Sequence, residues 1–243
     1  MQASPTRLIA LVPMRHGSER VPLKNIRTFA GRPLYHQIIE TLRATPEVTS
    51  IVIDTDSAPL KEDAARHFPD VRILHRPTML AQGMVTMNDV LAHTLQQLRG
   101  DWFLQTHATN PLLRAETISA AIAAHRAKPE HDSLFSVTQL QTRLYDAAGQ
   151  AINHNPARLE RTQDLAPVYE ENSCLYVFRR DVFARRHNRI GAKPLLYPID
   201  PIEALDIDEP TDFILAEQLF LLNPAGKDAV GVGPAGATKE PLE

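Results

Sequence analysis

Leu8 to Val12 is an unbroken apolar run, the pattern of a strand buried on both faces. Leu34, Ile38, Ile39 and Leu42 recur at helical spacing and predict an amphipathic helix. Ser50–Thr55 reads as a second strand, Ala58–His67 as a helix and Val71–Leu74 as a third strand. Val90, Leu91, Leu95 and Leu98 share a helical face that Asn88 or Asp89 is placed to cap. Trp102–Gln105 predicts a strand, Ala115–Ala127 a helix and Ser133–Val137 another strand. The periodicity weakens from Gln139 to Asn172. There Tyr145, the turn signal Asp146–Gly149 and the polar stretch Asn153–Asp164 predict an inserted hairpin or arm. Ser173–Phe178 resumes as a strand, Ile207 sits in an edge segment, and Phe213–Leu222 predicts a last apolar helix. Residues 223–243, rich in Gly, Pro and Ala, predict a flexible tail.

Strand and helix alternate through most of this pattern. That predicts a three-layer α/β fold with a mainly parallel, Rossmann-like sheet. One domain over residues 1–222, with an arm at about 139–171, accounts for the length. Such sheets bind ligands at the carboxyl ends of their strands. The polar segments at Pro13, Asp54 and His107 all follow strands, so they are expected along one edge.

Composition narrows the function classes. A net charge of −3 gives no basic field for nucleic acid. The lone cysteine, Cys174, excludes an intrachain disulfide and a thiolate zinc cluster, and it reads as a packed strand residue. The apolar runs are too short for a membrane span or a signal peptide, so a cytoplasmic protein is expected.

The segment from Arg15 to Asn25 carries the clearest chemistry. Gly17 permits backbone N–H groups to turn toward an anion. Ser18 adds a hydroxyl, and Arg15, Arg20 and Lys24 add cations. Backbone donors, a bidentate guanidinium and a lysine point charge suit a triphosphate. A solvated basic loop is the plain alternative, and the position directly after the first strand weighs against it. Farther on, Asp206 and Asp208 alternate with Leu205 and Ile207. If that segment is extended, both carboxylates face one side and can hold Mg²⁺. An acidic start to the last helix is the alternative, and Asp212 fits that role.

The loop resembles the signature of the CMP-sugar synthetases, the acylneuraminate and 3-deoxy-octulosonate cytidylyltransferases. Arg15, Gly17, Ser18, Pro22, Lys24 and Asn25 match it in order and spacing, and Gly31-Arg-Pro-Leu34 resembles the family's next segment. Similarity continues to about Leu222. Thr55-Asp56 resembles the family's Ser-Thr-Asp, and Arg76 falls in a match to its Arg-Pro-x-x-Leu. Thr86 sits where small hydroxyl residues occur, and Thr109-Asn-Pro-Leu112 resembles Thr-Ser-Pro-Leu. Asp206-Ile-Asp208 resembles the family's Asp-Ile-Asp. His107 stands where the sialate pattern has Gln, and Ser173 stands in Asn172-Ser-Cys-Leu-Tyr176 where the family has Gly.

The resemblance implies a nucleotidyltransferase-type fold whose arm makes a homodimer. It implies CTP held by Arg15, Gly17, Ser18, Arg20, Lys24, Asn25, Arg76, Thr86, His107 and Thr109, with Mg²⁺ on Asp206 and Asp208. Arg15, Lys24 and Asp208 would serve the chemistry. Arg161, Gln163, Tyr169 and Asn172 would shape the site of an anionic small-molecule acceptor. The expected reaction transfers CMP to that acceptor and releases pyrophosphate. A 2-keto-3-deoxy sugar acid is the leading acceptor, and a small phosphonate such as phosphonoformate is the alternative. A regulatory nucleotide-binding protein and a glycosyltransferase are the readings from other classes.

Overall fold

The computed structural model describes residues 7–222 apart from Leu159. The stretches 1–6 and 223–243, the second being the expected tail, lie outside the described residues. In chain order the elements are β1 (Leu8–Met14), β2 (Thr28–Phe29), β3 (Arg32–Pro33), α1 (Tyr35–Arg43), β4 (Val48–Thr55), α2 (Ala58–His67) and β5 (Arg72–His75). They continue with α3 (Met87–Gln96), β6 (Trp102–Thr106), α4 (Ala115–Arg126), β7 (Ser133–Leu140), β8 (Val168–Arg179), α5 (Arg180–Arg186), β9 (Pro194–Pro198) and α6 (Pro210–Leu222).

Seven strands form one sheet in the order β5-β4-β1-β6-β8-β7-β9. β1 pairs in parallel with β4 and with β6, and β4 in parallel with β5. β8 alone runs against its neighbours, antiparallel to both β6 and β7. β1 is buried along its whole length because both faces of the sheet are covered. Leu8, Ala10, Val12 and Met14 pack with Ile38, Ile39 and Leu42 of α1 and with Ile118 and Ile122 of α4. Ile9 and Leu11, pointing the other way, pack with Leu91 and Leu95 of α3 and Phe183 of α5. The two-residue alternation of a strand thus produces the two helix layers. No helix among the described residues is long and apolar enough to cross a membrane.

The structure departs from the sequence expectations in several places. The Thr86 side chain, not Asn88 or Asp89, caps α3 by accepting from the Asp89 N–H. Ile207 is fully buried but belongs to an irregular segment rather than a strand. α5 and β9 carry no clear pattern in sequence. α5 is seven residues long and buries only Val182 and Phe183. β9 is an edge strand bounded by prolines, which a central strand would not tolerate. The arm is narrower than 139–171: β7 and β8 pair out to Leu140 and Val168, so 141–167 is the insertion proper. The Asp146–Gly149 turn forms as expected, with Tyr145 bridging to Ala151 across it.

Candidate active site

A cavity of about 550 Å³ opens at the carboxyl ends of β1 and β6, within the usual size of small-molecule sites. One wall is the loop after β1, with Arg15, Gly17, Ser18, Arg20, Lys24 and Asn25. The loop is pinned rather than free. The Asn25 side-chain amide donates to the Arg15 carbonyl at 3.0 Å, and the His16 N–H donates to Asp56 at 2.7 Å. Its left-handed residue is Leu23, at the start of a 3₁₀ turn over Lys24–Ile26. Gly17 has no positive φ, so the conformational freedom expected there is not used in this shape; a Cβ at Gly17 would meet nothing within 4 Å.

The opposite wall holds the two aspartates. Ile207 is inserted into an apolar cluster with Val21, Phe29, Leu34 and Phe213, which turns its neighbours Asp206 and Asp208 toward the cavity. The Ile207 N–H donates to the Thr109 carbonyl at 2.9 Å, and Lys24 Nζ donates to the Ile207 carbonyl. These bonds fix the aspartates against both the β1 loop and the loop after β6. Lys24 Nζ also stands 3.5 Å from Asp208, and Arg20 pairs with Asp208 at 2.7 Å and Glu209 at 3.1 Å. Asp212 accepts from the N–H groups of Asp208 and Glu209, so it acts as the acidic cap of α6.

The donor set fits a hard divalent cation. Asp206 is largely enclosed and its Oδ1 has no hydrogen-bond partner, while Asp208 lies within the same cavity. Burial pushes the Asp206 carboxyl up, the Thr109 hydroxyl opposes this, and the Asp208 charge adds to it. A buried oxygen left without a donor is costly unless a cation serves it.

His107 and Thr109 line the cavity floor from the end of β6. Burial first, then the Arg189 and Lys24 charges, push His107 down to about 3, so the ring is neutral near pH 7. Gln105 settles its tautomer. Arg189 donates to Gln105 Oε1, so the Gln105 NH₂ faces His107 Nε2 at 2.8 Å. Nε2 therefore accepts and Nδ1 carries the proton. Arg76 reaches the cavity, yet its guanidinium is buried and paired with Asp54 at 2.5 Å.

The other residues singled out from sequence do not line the cavity. Thr86 caps α3, and Asn172 bonds the hydroxyls of Ser136 and Thr138 across the β7–β8 ladder. Tyr169 is exposed on β8. Arg161 is paired with Asp164 in a 3₁₀ turn of the arm that also contains Gln163. The β7–β8 ladder carries this segment away from the sheet end, so proximity in sequence to Asn172 did not become proximity to the cavity. Sequence reading missed Arg189, which lines the cavity from the α5–β9 loop. No local motif marks it. Ser173, noticed only as a departure from Gly, lines the cavity with φ of 60°, a left-handed conformation that glycine would adopt at lower cost.

A family model described as "Cytidylyltransferase" matches residues 9–229. The chain is 29% identical over 236 residues to a CMP-N,N'-diacetyllegionaminic acid synthase of Legionella pneumophila, covering 89% of this chain and 97% of that protein. It is 26% identical over 219 residues to an N-acylneuraminate cytidylyltransferase A of Danio rerio, covering 87% of this chain but only 50% of that protein. Among solved structures, CMP:2-keto-3-deoxy-manno-octonic acid synthetase complexed with CTP superposes with a TM-score of 0.67 at 12% identity, over 89% of this chain and 99% of that one. The 4-diphosphocytidyl-2C-methyl-D-erythritol synthase of Anaerococcus prevotii gives 0.66 at 13% identity, over 89% and 96%. At such identities the two structures speak to the fold alone. None of these four proteins is named for a phosphonate.

Proposed function

The chain belongs to the cytidylyltransferase family, and from that premise we propose that it transfers CMP from CTP to a 2-keto-3-deoxy sugar acid, releasing pyrophosphate. It is a nucleotidyltransferase, not a regulatory nucleotide-binding protein or a glycosyltransferase. The observation that carries the reading is the cavity in which the cationic β1 loop faces Asp206 and Asp208, with Lys24 touching both walls. The relatives named for legionaminic and neuraminic acids support a sugar acid as acceptor.

In this reading Arg15, Ser18 and Arg20 hold the β- and γ-phosphates. Lys24 is held at the Ile207 carbonyl between the two aspartates and offsets charge growing on the α-phosphoryl oxygens. Asp206 and Asp208 would hold Mg²⁺, which when bound polarises and orients the phosphates. CTP would draw Arg20 and Lys24 from carboxylate to phosphate, freeing Asp208 for the cation. An acceptor hydroxyl oxygen attacks the α-phosphorus in line, its proton passes to water, and the bond to the β-phosphate oxygen breaks to release pyrophosphate. His107, neutral with Nδ1–H as its donor, contributes a hydrogen bond without adding charge. The insertion 141–167 would join two copies as a homodimer, which a solution mass tests.

The experiment is pyrophosphate release from CTP with a panel of sugar acids. Lys24→Ala and Asp208→Ala should each lose about 100-fold or more in kcat, the scale of removing one electrostatic group from a transition state. Full turnover in either variant would sink the residue roles, and silence of the wild-type protein across the panel would sink the reaction.

A further inference from the structure

We propose that Arg189 anchors the carboxylate of the acceptor and is a specificity-determining residue of this site. The inference rests on the functional reading above and deepens it. It also moves the role suggested by sequence for Arg161 to a different part of the chain.

Around the cavity Arg20, Lys24 and Arg76 each have a carboxylate within 3.5 Å. Arg189 does not: the one carboxylate within reach among the described residues is Glu171, at 4.0 Å. Arg15 stands equally far from Glu19, but its side chain is 40% exposed to solvent. Glu171 already accepts the Tyr176 hydroxyl. The Arg189 guanidinium donates to Gln105 and lies over the Tyr176 ring, 3.6 Å from its centroid. Its side chain is only 14% exposed. Burial pulls its pKa down, against the pull of the nearby Tyr176 and Glu171. A guanidinium placed this deep, with donors left over, gains most from an anion arriving through the cavity.

The loop bearing Arg189 is tied at each step. Its own N–H donates to Asn88, the Gly191 N–H to Ser133, and the Ala192 and Lys193 N–H groups to the Asp132 carboxylate. A Cβ at Gly191 would stand 2.1 Å from the Asp132 carboxylate, so a larger residue there would displace the group that ties the loop. Stacking on Tyr176 then fixes the plane of the fork. Such preorganisation suits bidentate recognition of a carboxylate.

Arg15–Lys24 follows β1, whereas Arg189 lies against Tyr176 of β8, with β6 between them. Two strand spacings are about 10 Å. That separation leaves the triphosphate to the β1 loop and the far end of the cavity, beside Ser173 and His107, to the acceptor.

The test uses the full-length protein, Mg²⁺, CTP and the sugar acid it turns over best, beside that acid's methyl ester. Arg189→Met should raise the acceptor KM on the order of 10–100-fold, the range for losing a charged hydrogen-bonded pair. It should leave CTP affinity, measured by calorimetry, within about twofold of wild type on the same scale. Arg189→Lys, which keeps charge but not the fork, should fall between. The ester should be poor with the wild type and no poorer with Arg189→Met. An unchanged acceptor KM in both variants overturns the proposal, as does an equal loss of CTP affinity. If the wild type binds CTP but releases no pyrophosphate with any sugar acid, the functional reading itself falls, and this inference falls with it.

Discussion

Arg76 offers the sharpest separation of a structural role from a binding one. Sequence resemblance places it near the nucleotide, and it does reach the cavity. Yet Arg76 and Asp54 are only 3% and 2% exposed, joined at 2.5 Å, and Asp54 also accepts the Thr94 hydroxyl at 2.5 Å. A second guanidinium nitrogen donates to the Asp54 carbonyl at 3.1 Å. Arg76→Met removes one member and leaves a buried carboxylate with a single hydroxyl donor. Breaking a buried pair from one side costs about 3–5 kcal/mol. A domain of this size loses about 2–4 °C of Tm per kcal/mol, so the fall should be about 6–20 °C. Thr94 still serves Asp54, which favours the lower half of that range. The double variant Asp54→Leu/Arg76→Met deletes both charges and should recover most of the loss, because a paired apolar replacement leaves nothing stranded. The assay is thermal unfolding by circular dichroism, with CTP calorimetry run well below each variant's transition. An unchanged Tm in Arg76→Met, with CTP affinity down more than about tenfold, would refute the reasoning and make Arg76 a nucleotide ligand.

Two further outcomes follow from the site. His107 is held neutral in the fold to about pH 3 and protonates near 6.5 when unfolded, so below 6.5 the unfolded chain binds a proton that the fold does not. Stability is therefore lost as pH falls from about 6.5, by roughly 1–2 kcal/mol at pH 5; His107→Gln should lower the acid-unfolding midpoint, and an unmoved midpoint would contradict this. Ser173 pays for its left-handed backbone, so Ser173→Gly should gain about 1 kcal/mol in chemical denaturation while shifting the order of preference among acceptors; a loss of stability would show that the Ser173 hydroxyl matters more than the strain.

The local periodicities that set the layers were legible in the chain. Leu8–Val12, Leu34–Leu42 and Ala115–Ala127 each repeat at the spacing of a buried strand or a one-faced helix, and each formed close to its expected bounds. The cationic loop and the aspartate pair were legible for the same reason: their chemistry lies within a few consecutive residues. Cys174 proved a packed strand residue, as burial of an isolated thiol predicts.

What sequence alone determined was local: the elements, the cationic loop and a pair of carboxylates facing one side of their segment. Only the tertiary structure decided which distant residues share the cavity. Arg189 enters through a loop between a short charged helix and an edge strand, neither of which has a period to read. Arg161 leaves with an arm whose course depends on how far the β7–β8 ladder extends. Arg76 looks like any arginine near a motif until its partner Asp54 is seen buried beside it, 22 positions away. Charge pairing and burial are relations between segments far apart in the chain. Their energies arise only when packing excludes water from both partners.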